Sequence, residues 1–259
     1  MKLQIKDLSF SYRRRPVLRG VSFGAESGEI TAVLGANAVG KSTLLKCLAG
    51  ALIPEGQILY DSRSLKDMDS SRRACLIGYM VQDSPSPAEL TVVETVLLGR
   101  LQSLTLHVAP EELARVYEIL EALHIAPLAQ QRLSRLSGGQ RRMVSVAQTL
   151  VRQPEILLLD EPTANLDMLN ELEVLRLMAD MTRQRNLVTI VTLHDLNMAA
   201  RYAARCVLLC GGRVIAEGTP QETLTEKNIE DAYGVKAKII SDVSVPVIIP
   251  SSPAAEYGT

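Results

Sequence analysis

The strongest chemical signal in the chain is the run Gly35-Ala-Asn-Ala-Val-Gly-Lys41-Ser42. It fits the pattern G-x-x-x-x-G-K-[ST], follows the apolar run Ile30–Leu34 and opens a stretch with helical patterning, the context such a loop requires. The glycines let the backbone curl until several N–H groups converge on one anion, and the helix N-terminus adds partial positive charge. Lys41 is then placed to reach the β- and γ-phosphates of a nucleotide, and the Ser42 hydroxyl to ligate Mg²⁺. The ligand expected is ATP with Mg²⁺, held by Gly35, Ala36, Asn37, Ala38, Val39, Gly40, Lys41, Ser42 and Thr43.

A second group is Ile156-Leu-Leu-Leu-Asp160-Glu161-Pro162, an apolar run ending in two carboxylates. Open α/β sheets bind ligands beyond the carboxyl ends of their strands. Asp160 is expected to hold Mg²⁺, directly or through water, and Glu161 to act as general base on the attacking water. Two adjacent acids can also be an ordinary strand end. A third group is Leu136-Ser137-Gly138-Gly139-Gln140. Ser137 with Gln140 makes a Ser-x-x-Gln capping box, and the glycines leave the first-turn N–H groups bare, so a phosphate could approach. By itself this reads in favour of a capped surface helix, since the loop at Gly35–Ser42 already provides a complete phosphate cradle.

The elements that must position these residues follow from periodicity. Strands are expected at Lys2–Phe10, Val17–Phe23, Glu29–Leu34, Gln57–Tyr60 and Leu76–Val81, with a helix from about Lys41 to Ala51. Leu113, Val116, Leu120 and Leu123 fall at helical spacing, and another helix is expected from Ser137 to Arg152. The stretch 83–150 thus reads as a helical insertion in an α/β chain. Ile156–Leu159 and Leu187–Leu193 read as buried strands joined by a helix over Leu169–Arg185, a βαβ unit. Gly211-Gly212 between Cys206–Cys210 and Arg213–Glu217 predicts a tight hairpin. Two short helical pieces follow Pro220, stopping at Gly234, then strands near Ala237–Ser241 and Val245–Ile249 and a mobile tail from Pro250.

The chain of 259 residues suits one large domain or one domain with a small appendage. With 3% aromatic residues and no Trp, aliphatic side chains must fill the core, which suits a parallel sheet covered by helices. A net charge of −1, from 28 basic and 29 acidic residues, argues against nucleic acid as a partner. The run Arg13–Arg15 reads as a solvated loop. Cys47, Cys75, Cys206 and Cys210 form no CxxC pair and are expected to be reduced and mostly buried. No run of apolar residues is long enough to span a membrane, and no signal-peptide core opens the chain, so a membrane would be served through a partner.

Taken in order, Tyr12, Gly35–Ser42, Gln82, Leu136–Gln140 with Ile156–Glu161, and His194 resemble the ATP-binding cassette (ABC) ATPases, over roughly Lys2 to Gly218. The resemblance implies an α/β fold: a P-loop NTPase core with a parallel sheet, an N-terminal antiparallel β subdomain and an inserted α-helical subdomain. Residues 1–222 would form the nucleotide-binding domain, with the helical subdomain at about 83–150, and 223–259 a small C-terminal extension. In that family two domains pack head to tail, each ATP lying between one P-loop and the other domain's Ser-Gly-Gly. Ser137, Gly138, Gly139, Gln140 and Asp167 are therefore implied to act in trans on a second copy of the chain. The resemblance also places Tyr12 against adenine, Gln82 as a sensor of Mg²⁺ and the attacking water, and His194 at the γ-phosphate. Asn165-Leu166-Asp167 would cross the dimer interface. The implied catalytic set is Glu161, His194, Gln82 and Lys41, and the metal set Ser42, Gln82 and Asp160. Ala36 and Ala38 depart from the Pro and Gly of many relatives, and a Cβ at 38 would crowd the backbone if φ there is positive.

Three further phrases, Leu90–Arg100, His194–Tyr202 and Tyr233-Gly-Val with Val245–Pro250, are similar to the ATPases of iron-siderophore, haem and cobalamin importers. The implied partners are a second copy, two transmembrane permease subunits met through Asp83–Glu94, and indirectly a periplasmic or extracellular substrate-binding protein. The implied place is the cytoplasmic face of the membrane. An exporter ATPase, or an importer for another cargo, shares the hydrolytic motifs and is the alternative. A coiled-coil repair ATPase would need sustained heptads between Gln82 and Leu136, and none occur. A translation-type protein would usually carry two cassettes and a basic face, and a non-hydrolysing module would be expected to lose Glu161 or His194.

Overall fold

Burial alternates along the first strand, and that alternation builds the first layer. The computed structural model describes residues 2–81, 89–100, 108–240 and 245–254. In β1 (Lys2–Tyr12) Leu3, Ile5 and Leu8 are buried, and in β2 (Arg15–Glu26) Leu18, Val21, Phe23 and Ala25 are buried. The two pair antiparallel, Leu3 opposite Ala25 and Ile5 opposite Phe23. After β3 (Ile30–Leu34) and α1 (Lys41–Leu48), β4 (Glu55–Tyr60) and the short β5 (Arg63–Ser64) complete a four-stranded antiparallel sheet in the order β2-β1-β4-β5.

Next come α2 (Ser70–Leu76), β6 (Ile77–Met80), α3 (Val92–Leu98), α4 (Pro110–Ala122) and α5 (Gly138–Leu150). The second sheet is completed by β7 (Ile156–Asp160), β8 (Val188–Thr192), β9 (Arg205–Cys210) and β10 (Arg213–Gly218), with α6 (Met168–Gln184) and α7 (Leu196–Tyr202) between them. Its order is β10-β9-β3-β8-β7-β6, parallel except for the β9–β10 hairpin. The chain closes with α8 (Pro220–Thr223), α9 (Glu226–Tyr233) and the antiparallel pair β11 (Val235–Ile240) and β12 (Val247–Pro253).

The parallel sheet separates two apolar cores, because successive side chains of a strand point to opposite faces. Leu157 and Leu159 of β7, with Ala32 and Leu34 of β3, join the core under α3 to α7. Ile156 and Leu158, with Val33, join the core shared by α1 and the antiparallel sheet. Every residue of β3, β7 and β8 is buried, Thr31, Thr189, Thr192 and Asp160 included, as their mostly apolar runs lead one to expect of a sheet covered on both faces. This central placement holds the carboxyl ends of β3, β7 and β8 side by side on a rigid base.

Helices α3 to α5 lie among the described residues of the inserted stretch. Thr91 and Glu94 form a capping box at the start of α3, and the Arg100 guanidinium bonds both carboxylate oxygens of Glu112 at 2.5 and 2.8 Å, tying the end of α3 to α4. Val116, Ile119 and Leu120 of α4 and the following Leu123 are buried in the core, whereas Leu113, expected in the same stripe, is 39% exposed. Leu120→Ala should lower stability by about 2–5 kcal/mol through lost transfer energy and a cavity, read as a shift in the urea midpoint.

Other boundaries differ for local reasons. α1 ends at Leu48 rather than Ala51, since Gly50 has φ 76° and cannot continue a helix. The polar stretch before β6 contains α2, which had no apolar stripe to reveal it and is started by Asp69 accepting from the Arg72 N–H at 2.8 Å. Residues 250–253, expected as a mobile tail, are part of β12, where Pro250 faces Ala237 and Ser252 faces Lys236. Only Cys47 and Cys206 are buried; Cys210 is half-buried and Cys75 exposed, so the expectation of mostly buried thiols holds for two of four. No helix among the described residues is long and apolar enough to cross a membrane.

Candidate functional site

The loop from Gly35 to Gly40 leaves the buried carboxyl end of β3 and enters α1. Gly35 has φ 140°, and a Cβ there would stand 2.5 Å from the Leu209 carbonyl oxygen, so no other residue fits. Gly40 has φ 115° and takes the N-cap position of α1 with no side chain bonded to the first-turn N–H groups, which remain available to an anion. Ala38 has φ 61°. The left-handed conformation that made its methyl group a concern is therefore present, at a cost of about 1 kcal/mol that glycine would not carry.

Lys41 is 5% exposed, and its ammonium donates to the carbonyls of Gly35 at 2.6 Å and Ala36 at 3.2 Å. Burial pulls its pKa below the ordinary lysine value, while the negative charges of Glu161 and Asp160 push it back up. A polyphosphate placed in the loop would add further negative charge where this ammonium is held.

The two acids sit beside it at the end of β7. Asp160 is 2% exposed, and its Oδ1 accepts from the Ser42 hydroxyl at 3.1 Å and the Thr192 hydroxyl at 2.9 Å. Thr192 also accepts from the Glu161 N–H at 2.8 Å, so one hydroxyl locks both acids in place. Glu161 turns out of the strand with φ 49°, and its carboxylate meets the His194 Nε2 at 2.5 Å. The Glu161 side chain is 12% exposed and the His194 side chain 47% exposed.

Ser42 and Asp160 are hard oxygen donors on one side of the phosphate loop. Among the described residues no three His, Cys, Asp or Glu side chains gather as a metal cage. A hydroxyl and one carboxylate, leaving other positions to phosphate and water, suit Mg²⁺, which is commonly bound in that way. The residues present therefore fit the ion.

A cleft of about 690 Å³ opens over the loop, lined by Tyr12, Arg15, Arg19, residues 37–43, Glu161 and Gly211-Gly212 among others. Tyr12 is 45% exposed, and its ring stands edge-on to Phe10 with centroids 4.9 Å apart, a contact that orients it at the rim. Arg15, from the run expected to be a solvated loop, lines this cleft. The β9–β10 hairpin closes the wall, the Gly212 carbonyl accepting from the Arg19 N–H at 2.8 Å.

Ser137 caps α5: its hydroxyl accepts from the Gln140 N–H at 3.2 Å, and the Gln140 side chain accepts from the Ser137 N–H at 2.9 Å. A Cβ on Gly139 would collide with Asn170 of α6 at 2.6 Å, so packing demands that glycine. A Cβ on Gly138 would meet only Leu166, at 3.9 Å, so nothing in its own chain requires a glycine there. Asp167 caps α6, accepting from the Asn170 N–H at 2.9 Å. Ser137, Gly139 and Gln140 line a different cavity, of about 480 Å³, bounded by Asn170, Glu173 and Met143 and sharing no residue with the cleft over the phosphate loop.

The fold thus brings together Tyr12, the loop 35–43, Asp160, Glu161 and His194, and holds Ser137–Gln140 and Asp167 apart from them. Gln82 lies outside the described residues. Thr192, Arg19 and Tyr233 are additions. Thr192 carries a faint signal, a hydroxyl in an apolar strand two residues before His194. Tyr233 stands in a phrase similar to importer ATPases, but nothing in that phrase signals this contact: its hydroxyl accepts from the Gly35 N–H at 2.8 Å across 198 residues of sequence.

Comparison with known proteins adds to this geometry. Residues 18–164 match the family model described as ABC transporter. An ABC transporter ATP-binding protein of Methanocaldococcus jannaschii is 38% identical over 96% of this chain and 98% of its own length. The ferric enterobactin transport ATP-binding protein FepC of Escherichia coli is 34% identical over 96% and 94%. The hemin import ATP-binding protein HmuV of Bordetella avium is 36% identical over 93% and 95%. Among solved structures, a metal-chelate type ABC transporter in an inward-facing conformation superposes with a TM-score of 0.84 at 27% identity, covering 96% of both chains.

Proposed function

This chain belongs to the ABC transporter family as an ATP-binding subunit and ATPase, and from that membership we propose that it drives an importer of iron-siderophore, haem or cobalamin-like cargo. The observation that carries its ATP-driven mechanism is the division of the site, and the cargo class rests on the relatives named below. One chain holds a phosphate loop with its metal-binding and basic groups in one cleft, and a capped, glycine-bare helix start in another cavity. Two copies arranged head to tail would close Ser137–Gln140 and Asp167 of each over the phosphates held by the other. Met168 and Leu169, next to Asp167, are 74% and 66% exposed and would be covered in that arrangement. The carboxyl-end motifs fall within residues 1–222, with about 83–150 as the helical unit.

Lys41 and the N–H groups at the start of α1 bind and orient the phosphates. Ser42 and Asp160 would hold Mg²⁺, which would supply positive charge to neutralise the charge developing on the phosphates. Glu161 accepts a proton from the attacking water at its carboxylate. His194, which contacts that carboxylate in the described state, would turn to the γ-phosphate on closure, and Gln82 would sense metal and water. Tyr12 stacks on adenine. Closing on ATP favours one dimer arrangement over the other by the difference in affinity, and two transmembrane partners would convert that shift into uptake.

FepC and HmuV, with names that refer to ferric enterobactin transport and hemin import, support the cargo class. The test is reconstitution with the transmembrane partners in vesicles, followed by ATPase measurement with binding proteins loaded with ferric chelate, haem or cobalamin. Stimulation by one of them is expected. Stimulation by a lipophilic compound with no binding protein would overturn import in favour of export.

A further inference from the structure

The segment after Leu224 touches the phosphate loop at one point and the helix that follows His194 at another. Its helix α9 and hairpin β11–β12 form one unit: Gly234 ends α9 with φ 65°, and the Ala254 N–H donates to the Gly234 carbonyl at 2.8 Å. Ile229, Ala232 and Ile248 set this unit into the main core beside Leu208 and Ala199. The Cys210 thiol also donates to the Asp231 carbonyl, at 3.3 Å.

The first point is Tyr233. Its hydroxyl takes the Gly35 N–H at 2.8 Å, while the Gly35 carbonyl takes the Lys41 ammonium at 2.6 Å. One residue, Gly35, thus links the phenol to the lysine of the phosphate loop. The second is Ile248. The Asn197 side chain accepts from the Ile248 N–H at 2.8 Å and donates to the Ile248 carbonyl at 3.2 Å, as a neighbouring strand would. Asn197 lies in the first turn of α7, capped by Asp195, directly after His194.

We propose that the C-terminal unit braces the nucleotide site, with Tyr233 positioning Gly35 and through it Lys41, and Ile248 positioning Asn197 and through it His194. Both are positioning roles. The inference rests on the reading of Gly35–Ser42 as the ATP site, and it makes the two contacts separable in kinetics. Lys41 binds phosphate, so losing the Tyr233 hydroxyl should weaken ATP binding. His194 serves hydrolysis, so losing the Asn197 amide should slow turnover.

The experiment uses the full chain with Tyr233→Phe, which keeps the ring, and Asn197→Ala, with thermal melting as a check on folding. Tyr233→Phe is expected to raise KM for ATP about three- to tenfold and change kcat less than about twofold. Asn197→Ala is expected to lower kcat about threefold or more at nearly constant KM. Wild-type values in both variants, or a parallel loss of kcat and Tm without that split, would overturn the brace. If Tyr233→Phe does not fold, amide exchange in the wild-type chain decides: protection at Gly35 supports the brace and rapid exchange overturns it. Lys41→Ala in the same assay separates the two readings. ATP binding retained by that variant sinks the phosphate-loop reading itself, whereas binding lost there with a silent Tyr233→Phe sinks only the brace.

Discussion

Glu161→Gln is expected to bind ATP, to hydrolyse it at least about a hundredfold more slowly than wild type, and to accumulate as a dimer. The magnitude is that of losing a positioned general base, typically 10²–10⁴-fold. The change is nearly isosteric, and the Glu161 N–H keeps its bond to the Thr192 hydroxyl, so the loop should hold its shape. Asp160, Ser42 and Lys41 stay in place to bind the nucleotide. ATP that binds without being cleaved would keep both cavities closed over it, which is why the dimer should persist. The measurements are phosphate release and light scattering with and without Mg-ATP. A monomeric variant with unchanged turnover would remove both the general-base role and the sharing of sites between copies.

The second large effect is expected at Lys41. Lys41→Ala should weaken ATP binding by about a hundredfold or abolish turnover, the scale of losing charge-assisted bonds to phosphate in a shielded site. The empty protein should not suffer in the same way. Burial lowers the Lys41 pKa on folding, so between that lowered value and the ordinary lysine pKa the unfolded chain holds more protons and stability rises with pH. Below the lowered value, which is where the protein is charged at Lys41, the buried ammonium opposes folding. Replacing it by alanine removes that opposition together with the ammonium's bonds to the Gly35 and Ala36 carbonyls, and thermal melting of the empty variant checks that the fold is kept. Retained ATP binding in the face of an intact fold would show that the loop is not the phosphate site.

The dependence on tertiary contacts differs from residue to residue. Gly35, Gly40, Lys41 and Ser42 form their loop from adjacent residues, so spacing alone exposes them, and the strand before and helix after are set by short-range pattern. Asp160 and Glu161 are legible because a fully buried strand reads as an unbroken apolar run. Ser137 and Gln140 carry their capping box in four consecutive residues. By contrast α2 and α3 are short, seven residues each, with their signal in a cap rather than in a stripe. The end of the last strand, beyond Ile249, was hidden by Pro250 and Pro253, which strands accept at an edge where no ladder bond from the proline nitrogen is needed.

Sequence by itself determined the parts that chemistry must hold within a few residues: the phosphate loop, the paired acids, the capped glycine turn, and the α/β plan that presents them. Tertiary structure alone decided which parts share a cleft. It put Thr192 between the two acids, turned Ala38 into the left-handed region, and sent the capped turn to a separate cavity. It also carried Tyr233 back to Gly35. The reason is physical. A loop's shape follows from its own dihedral angles, whereas a contact across 198 residues exists only because one core packs the sheet and α9 against each other.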